Sequence, residues 1–145
     1  MLVLVLLNAE PWFRDPLSLH QIIAWLLLIA ATALAVHGAY LLHLVGKPDD
    51  KRDDDVTLIG IEKTTRLVTV GAFRYIRHPL YSSLLFGTLG VFFKDPSWPG
   101  GILTLAAAAF LVMTAKAEEA ECIRFFGPAY RDYMKRTKMF VPFLF

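Results

Sequence analysis

The chain has little cysteine and little net charge, and both shortages narrow the classes of protein to which it can belong. Cys122 is the only cysteine among 145 residues, which excludes a disulfide framework, a CxxC metal site and an intramolecular redox pair. A formal net charge of +2 gives no reason to expect a nucleic acid partner. His20, His37 and His43 have no metal-ligand spacing with one another, so we expect no metal site.

Hydrophobic residues, in contrast, make up 56% of the chain, and the mean hydropathy of +0.49 is too high for an ordinary soluble domain. Three apolar segments, at residues 17–45, 79–93 and 98–115, are candidates for membrane spans, which need roughly 20 residues. A polar turn at residues 94–97 joins the last two, which we interpret as a hairpin. The sequence therefore predicts an all-α integral membrane protein with about three transmembrane helices.

We interpret the chain as a single domain of five consecutive segments, because its length leaves no room for a second one. These are an interfacial segment (1–16), a first span (17–45), a cytoplasmic loop (46–78), a transmembrane hairpin (79–115) and a cytoplasmic tail (116–145). Among the lysines and arginines, only Arg14 and Lys94 lie outside the loop and the tail. The positive-inside rule therefore places the loop and the tail on the cytoplasmic side. We expect the membrane to be an inner membrane or an endomembrane.

Proline and glycine mark the predicted helix boundaries. Pro79 suits the first position of a helix, with His78 as its N-cap. The helix of the last span is expected to continue beyond the membrane to Phe126, where Gly127 would end it and Pro128 would begin another.

Small residues also predict close approaches of the backbone. Gly87, Gly90 and the alanines at residues 106–109 would allow the helices of the hairpin to pack closely. Gly71 permits a turn after residues 64–70, which are β-branched and could be extended.

Two polar clusters lie where predicted helices meet the cytoplasmic side. The first is RHPLY at residues 77–81, and the second combines Glu118 and Glu119 with FGPAYRDY at residues 126–133. Because both lie at the same boundary, we predict that they form one water-facing site. The free N–H groups of a helix that begins at Pro79 would make an anion seat beside Arg77 and His78. The plainer alternatives are snorkelling basic residues, solvated glutamates and interfacial tyrosines.

The two glutamates cannot face the same way on a helix. Adjacent side chains point about 100° apart, so one carboxylate could enter a pocket while the other pairs with a basic residue. Cys122 lies four residues after Glu118 on the same stripe, where a packing role is favoured over that of a nucleophile.

The segment at residues 67–81, together with Glu118-Glu119 and the FGPAYRDY run, resembles the isoprenylcysteine carboxyl methyltransferase and phospholipid methyltransferase superfamily. The similarity covers residues 64–143, and its spaced motifs occur in the right order. It implies an integral-membrane methyltransferase that uses S-adenosylmethionine. The residues that the motifs map to cofactor binding are Thr65, Arg66, Leu67, Val68, Phe73, His78, Pro79, Leu80, Tyr81 and Glu118.

The resemblance also implies roles for four further residues in catalysis or closure of the site. Arg77 and Glu119 are the candidate catalytic residues, with Glu119 as a possible general base, and Tyr130 and Tyr133 would contact the substrate or close the pocket. The physical chemistry agrees with this map: a basic seat at Arg77 suits the cofactor carboxylate, and an acidic side chain suits its ammonium group. Apolar and aromatic side chains would hold the adenine ring.

The methyl acceptor stays open at this stage. Phe73 stands where the eukaryotic carboxyl methyltransferases carry tyrosine, and Thr114 stands where they carry an arginine taken to hold the prenylcysteine substrate. A carboxylate, a thiol and a phospholipid amine therefore compete as the lipophilic or small acceptor. Membrane lipid is an expected partner, and dimerisation could complete the pocket of so short a chain. The alternatives to a methyltransferase are an NADPH-dependent reductase of the sterol type and a non-catalytic membrane module.

Overall fold

The computed structural model describes residues 18–46 and 66–144, together with Val3 and Val5. Within these residues the fold is all-helical, as predicted, and an isolated parallel β-bridge between Ile76 and Lys138 is the only strand-like pairing. The helices in chain order are α1 (Leu19–Leu41), α2 (Pro79–Lys94), α3 (Trp98–Phe126) and α4 (Pro128–Arg136). A π-helical turn, Leu42–Gly46, extends α1, and a 3-10 turn, Gly71–Arg74, precedes α2.

Two of these helices are long and apolar enough to cross a membrane, namely Leu19–Gly46 and Trp98–Phe126. Large apolar side chains face outward along both, including Leu26 and Ile29 on α1 and Leu105 and Met113 on α3, each more than 60% exposed. Exposed apolar surface of this extent suits a lipid environment. With 16 residues, α2 is shorter, and its place as a third span remains a prediction.

The predicted helix boundaries are confirmed. Pro79 is the first residue of α2, with His78 as its N-cap. Gly127, at a φ of 60°, ends α3 with its N–H bonded to the carbonyl of Ile123, and Pro128 begins α4. The single helix from Trp98 to Phe126 follows from the absence of any proline or glycine between residues 102 and 126.

Helix α2 packs along α1 more extensively than along α3. A methyl group added at Gly90 would lie 2.9 Å from Cγ of Leu28 and 3.2 Å from the carbonyl oxygen of Ala24, so this glycine permits the close approach. The sequence predicted such an approach within the α2–α3 hairpin. The closer partner is α1, because Gly90 faces that helix.

Lys94 was predicted to lie in the polar turn but is the last residue of α2 and is 1% exposed. Its Nζ donates to Oε1 of Gln21 at 2.9 Å, and Nε2 of Gln21 donates to the carbonyl of Lys94 at 2.9 Å. The ammonium also lies 3.5 Å from the centre of the Trp25 ring. Paired in this way, the charge can be buried against α1.

The segment after α4 crosses the start of α2. Arg77 N–H donates to the carbonyl of Lys138 at 2.7 Å, and His78 N–H donates to that of Met139 at 3.2 Å. Phe140 is 1% exposed and packs with Met139 against Tyr81 and neighbouring residues of α3. The tail is therefore fixed in the core at the end of the bundle where α2 begins and α3 ends.

Several predictions fall on residues that the structure leaves undescribed. They are the cofactor contact at Thr65, the interfacial segment (1–16) apart from Val3 and Val5, and most of the predicted loop, at residues 47–65.

Candidate functional site

A cleft opens where α2 begins and α3 ends, and the two predicted motif clusters meet there. Its walls come from the end of α1, the segment before α2, the last turns of α3, and α4. The lining residues are Leu42, Leu67, Val68, Phe73, Arg77, His78, Glu118, Cys122, Phe126, Tyr130 and Tyr133. We call this cavity the Glu118 cleft.

His78 lies between the two glutamates of α3. Its Nδ1 is 3.8 Å from Oε2 of Glu118, and its Nε2 is 3.5 Å from Oε1 of Glu119. All three residues are more than 90% buried. As predicted, the adjacent carboxylates diverge: Glu118 lines the cleft, while Glu119 turns towards Arg77.

The carboxylate of Glu118 carries an open acceptor. Its Oε2 is buried and has no hydrogen-bond partner among the residues that the structure describes. Burying a carboxylate oxygen without a donor is unfavourable unless something else satisfies it. A bound cationic or N–H-bearing group in the cleft would do so.

Arg77 connects Glu119 to the C-terminal segment. Its Nε donates to Oε1 of Glu119 at 2.5 Å, and its Nη1 donates to the carbonyls of Thr137 at 2.5 Å and Met134 at 3.3 Å. Two of the guanidinium nitrogens are therefore engaged within the protein. The arrangement holds Glu119 ionised and fixes the residues that follow α4.

The tyrosine pair of α4 forms one wall of the cleft. The hydroxyl of Tyr133 donates to the carbonyl of Phe73 at 2.6 Å, which ties α4 to the 3-10 turn. The ring of Tyr130 stacks on that of Phe126 with centroids 6.4 Å apart. Burial raises the pKa of Tyr130 and of Tyr133 above the ordinary tyrosine value, so both hydroxyls stay protonated at neutral pH.

The opposite wall is apolar. Val68 and Phe73 are buried in a cluster with Leu42 and Leu80, and Leu67 is partly exposed. The N–H of Arg66 donates to the carbonyl of Gly46 at 3.2 Å, so the chain returns alongside the end of α1. The segment at residues 67–69 is irregular rather than a strand.

The predicted site residues thus fall into two groups. Those that line the cleft are Leu67, Val68, Phe73, Arg77, His78, Glu118, Tyr130 and Tyr133. Those described elsewhere are Arg66, which is exposed, Pro79 and Leu80, which pack near Gly38 of α1, Tyr81, which belongs to the core, and Glu119, which lies behind Arg77.

The sequence reasoning missed Leu42 and Phe126 as lining residues and treated Cys122 as packing, although all three line the cleft. Leu42 looks like any other residue of an apolar span, and only the return of the chain at Arg66 brings the end of α1 to the site. The four-residue spacing of Cys122 from Glu118 was the signal that could have placed the cysteine there. Within the described ranges, no three His, Cys, Asp or Glu side chains are arranged to hold a metal ion.

A family model described as phospholipid methyltransferase matches residues 17–129. Methanethiol S-methyltransferase 2 of Bradyrhizobium diazoefficiens is 35% identical over 75 residues, which are 50% of this chain and 27% of that protein. Protein-S-isoprenylcysteine O-methyltransferase of Dictyostelium discoideum is 30% identical over 117 residues, 79% of this chain and 44% of that protein.

A nickel-cobalt-cadmium resistance protein, NccN, of Alcaligenes xylosoxydans xylosoxydans is 36% identical over 85 residues, 58% of this chain and 39% of that protein. The chain thus spans less than half the length of each of these relatives. No solved structure gives a significant match.

Proposed function

Because the chain belongs to the phospholipid methyltransferase family, we propose that it transfers a methyl group from S-adenosylmethionine to a lipophilic or small acceptor. The Glu118 cleft is the proposed site, and we assign it to the cytoplasmic face of the membrane. The charge bias of the sequence supports that orientation.

The observation that carries the proposal is Oε2 of Glu118, which has no hydrogen-bond partner among the described residues, in a residue that is 6% exposed and lines the cleft. The cofactor has an ammonium group, which would satisfy this oxygen with a charge-assisted hydrogen bond. A carboxylate oxygen buried near His78 with no hydrogen-bond donor in the described part of the chain is otherwise hard to explain as packing.

The remaining walls suit the other parts of the same molecule. Leu42, Val68 and Phe73 offer apolar and aromatic surface for a nucleobase. For the cofactor carboxylate, His78 and the third guanidinium nitrogen of Arg77 are the donors that we assign, since the other two nitrogens of Arg77 are engaged. When bound, S-adenosylmethionine supplies an electrophilic methyl group on sulfur, so the protein has mainly to bind and orient.

Glu119 and Arg77 best serve as a positioning pair. A carboxylate that accepts a hydrogen bond from an arginine at 2.5 Å is a weak proton acceptor, which argues against Glu119 as general base. The base role therefore stays a hypothesis that matters only for a thiol or an ammonium acceptor, because a carboxylate needs no deprotonation at neutral pH.

The acceptor class stays within the three predicted possibilities. The names of the relatives specify methanethiol and protein S-isoprenylcysteine, and the family description specifies phospholipid. Thr114, which stands in place of the arginine predicted for prenylcysteine enzymes, is buried and donates to the carbonyl of Phe110. A small thiol or a phospholipid amine is therefore favoured over a prenylcysteine carboxylate.

Calorimetric titration of the detergent-purified full chain with S-adenosylmethionine and, separately, with NADPH tests the cofactor assignment. Saturable binding of S-adenosylmethionine alone is expected. Binding of NADPH alone would move the protein to the reductase class, and binding of neither by folded protein would favour a non-catalytic module. An acceptor screen with methanethiol, a prenylcysteine and phosphatidylethanolamine would follow the expected result.

A further inference from the structure

A second cleft lies on the other side of Tyr133 from the Glu118 cleft. Arg74 and Arg136 line it together with Tyr75 and Phe143, and Gly71 is a further lining residue. We call it the Arg74–Arg136 cleft. Neither arginine lines the Glu118 cleft, so the methyltransferase assignment leaves this surface without a role.

The contacts of Gly71 show where this cleft lies along the helices of the bundle. A methyl group added at Gly71 would lie 2.5 Å from Cδ1 of Leu41 and 2.6 Å from Nε2 of His37. The 3-10 turn therefore sits against the last turn of α1, close to the end of a helix long enough to cross the membrane. The cleft accordingly lies at the level where a membrane-spanning α1 would reach the headgroups.

Both arginines are exposed, and neither forms an ion pair with a carboxylate among the residues described. The guanidinium of Arg74 lies 5.9 Å from the ring centre of Tyr75, and Nε of Arg136 donates to the carbonyl of Asp132 in its own helix. The carboxylate of Asp132 is bonded instead to Lys135 at 2.7 Å. The cleft therefore presents two guanidinium groups that have no ion-pair contact with a carboxylate of the described residues, and Asp132 attracts Arg136 only at longer range.

Apolar side chains project beside these charges. Phe143 is 84% exposed and Leu144 is 80% exposed, and the ring of Phe143 lies 6.1 Å from that of Tyr75. Phe143 also adopts a φ of 66°, a left-handed conformation that is unfavourable for a residue with a side chain. In the described part of the chain no other non-glycine residue does so. The exposed ring lines the same cleft as the two arginines.

Taken together, the geometry points to a binding site for the headgroup of an anionic phospholipid. Arginines contact the lipid phosphate, while Phe143 and Leu144 enter the boundary between headgroups and acyl chains. A soluble anion would use the arginines but gain nothing from the exposed apolar residues. The site is separate from the Glu118 cleft and does not depend on the proposed methyl transfer.

Native mass spectrometry of the full chain, extracted from vesicles of equimolar phosphatidylglycerol and phosphatidylcholine, measures which lipid stays bound. The test variant is Arg74→Gln/Arg136→Gln. The matched control is Arg124→Gln/Arg131→Gln, which removes the same charge from two exposed arginines outside the cleft. Phe143→Ser tests the apolar part, and circular dichroism verifies that each variant is folded.

Wild-type protein and the control should retain phosphatidylglycerol in preference to phosphatidylcholine. Each arginine near an anionic surface changes affinity roughly fivefold, so the test variant should lose on the order of 25-fold in relative retention. Phe143→Ser should reduce retention severalfold.

Equal loss in test and control variants would show attraction by overall charge alone and would overturn the proposal. The proposal would also be wrong if the wild type shows no lipid preference, or if glycerol phosphate without acyl chains displaces the lipid.

Discussion

The side chains of Arg77 and Glu119, 42 residues apart in sequence, form a buried ion pair in which Nε donates to Oε1 at 2.5 Å. Arg77 precedes α2 and Glu119 lies in the last third of α3, while Nη1 of the same arginine bonds to the carbonyl of Thr137 after α4. One guanidinium therefore joins the start of α2, the end of α3 and the segment after α4 beside the Glu118 cleft. The pair fixes the shape of the cleft, and neither of its residues bonds Oε2 of Glu118, the oxygen that we assign to the ligand.

Replacing Arg77 should destabilise the fold strongly. Arg77→Met would leave Glu119 buried without its partner, which typically costs about 3–5 kcal/mol of unfolding free energy. The double variant Arg77→Met/Glu119→Leu should recover part of the loss, because both charges are then absent. Thermal unfolding in detergent measures the difference.

The matched control for this pair is Lys135→Gln, which breaks the exposed pair with Asp132. It should leave the melting temperature unchanged, because water screens that contact. If Arg77→Met were as stable as this control, the joining role of Arg77 would be wrong.

Two glycines with nearly the same φ have different surroundings. Gly71 has a φ of 59° and Gly127 a φ of 60°, so Ala at either position would be strained. Only at Gly71 would the new methyl group also meet Leu41 and His37, whereas at Gly127 nothing lies within 4 Å. Gly71→Ala should therefore cost less melting temperature in a Leu41→Ala background, which removes one of these contacts, than in the wild type, and equal losses in the two backgrounds would contradict the docking of the 3-10 turn on α1.

The buried contacts of Lys94 should matter for stability but not for the cofactor. Lys94→Met removes the donor to Gln21 and the cation over the Trp25 ring, with an expected loss of about 2 kcal/mol. Lys116→Met, at an exposed lysine of α3, is the control and should be neutral. Affinity for S-adenosylmethionine should be the same in both, because α2 ends far from the Glu118 cleft. A selective loss of cofactor affinity in Lys94→Met would show coupling that the structure does not predict.

High pH should destabilise the fold through the buried tyrosines. Burial raises the pKa of Tyr133 in the folded state, whereas a tyrosine in the unfolded chain has a pKa of about 10. Below that pH both states are protonated and stability is unaffected; above it the unfolded state loses protons first and becomes favoured. Tyr133→Phe should therefore show a shallower fall of melting temperature between pH 9 and pH 11 than the wild type. Parallel curves would mean that Tyr133 is not held neutral in the folded protein.

Local sequence signals anticipated much of this fold because their physical causes are local. Pro79 and Gly127 set helix boundaries through backbone geometry alone, and the helical rotation of about 100° per residue separated Glu118 from Glu119. The convergence of the two polar clusters could be inferred because both lie at the same end of predicted spans.

Contacts that join distant segments escaped prediction. Nothing in the sequence indicates that residues 137–140 would pair with residues 75–78, since two irregular segments carry no periodicity. Lys94 resembled a turn residue, because its burial depends on Gln21 and Trp25 in another helix. The hydrogen bond from Arg77 to the carbonyl of Thr137 was also not predicted, and it occupies part of the guanidinium that was expected to bind an anion. Tyr81, which was predicted to contact the cofactor, packs in the core with Phe140.

The most direct test of the central claim is the affinity of Glu118→Gln for S-adenosylmethionine, measured by calorimetry against Asp132→Asn, an exposed carboxylate outside the cleft. Glutamine keeps the size of the side chain but removes the charge that we assign to the cofactor ammonium. We predict a loss of about 10- to 100-fold for Glu118→Gln, in line with a hydrogen bond between charged groups, and no change for Asp132→Asn. Wild-type affinity in a folded Glu118→Gln variant would contradict the assignment of this cleft as the cofactor site.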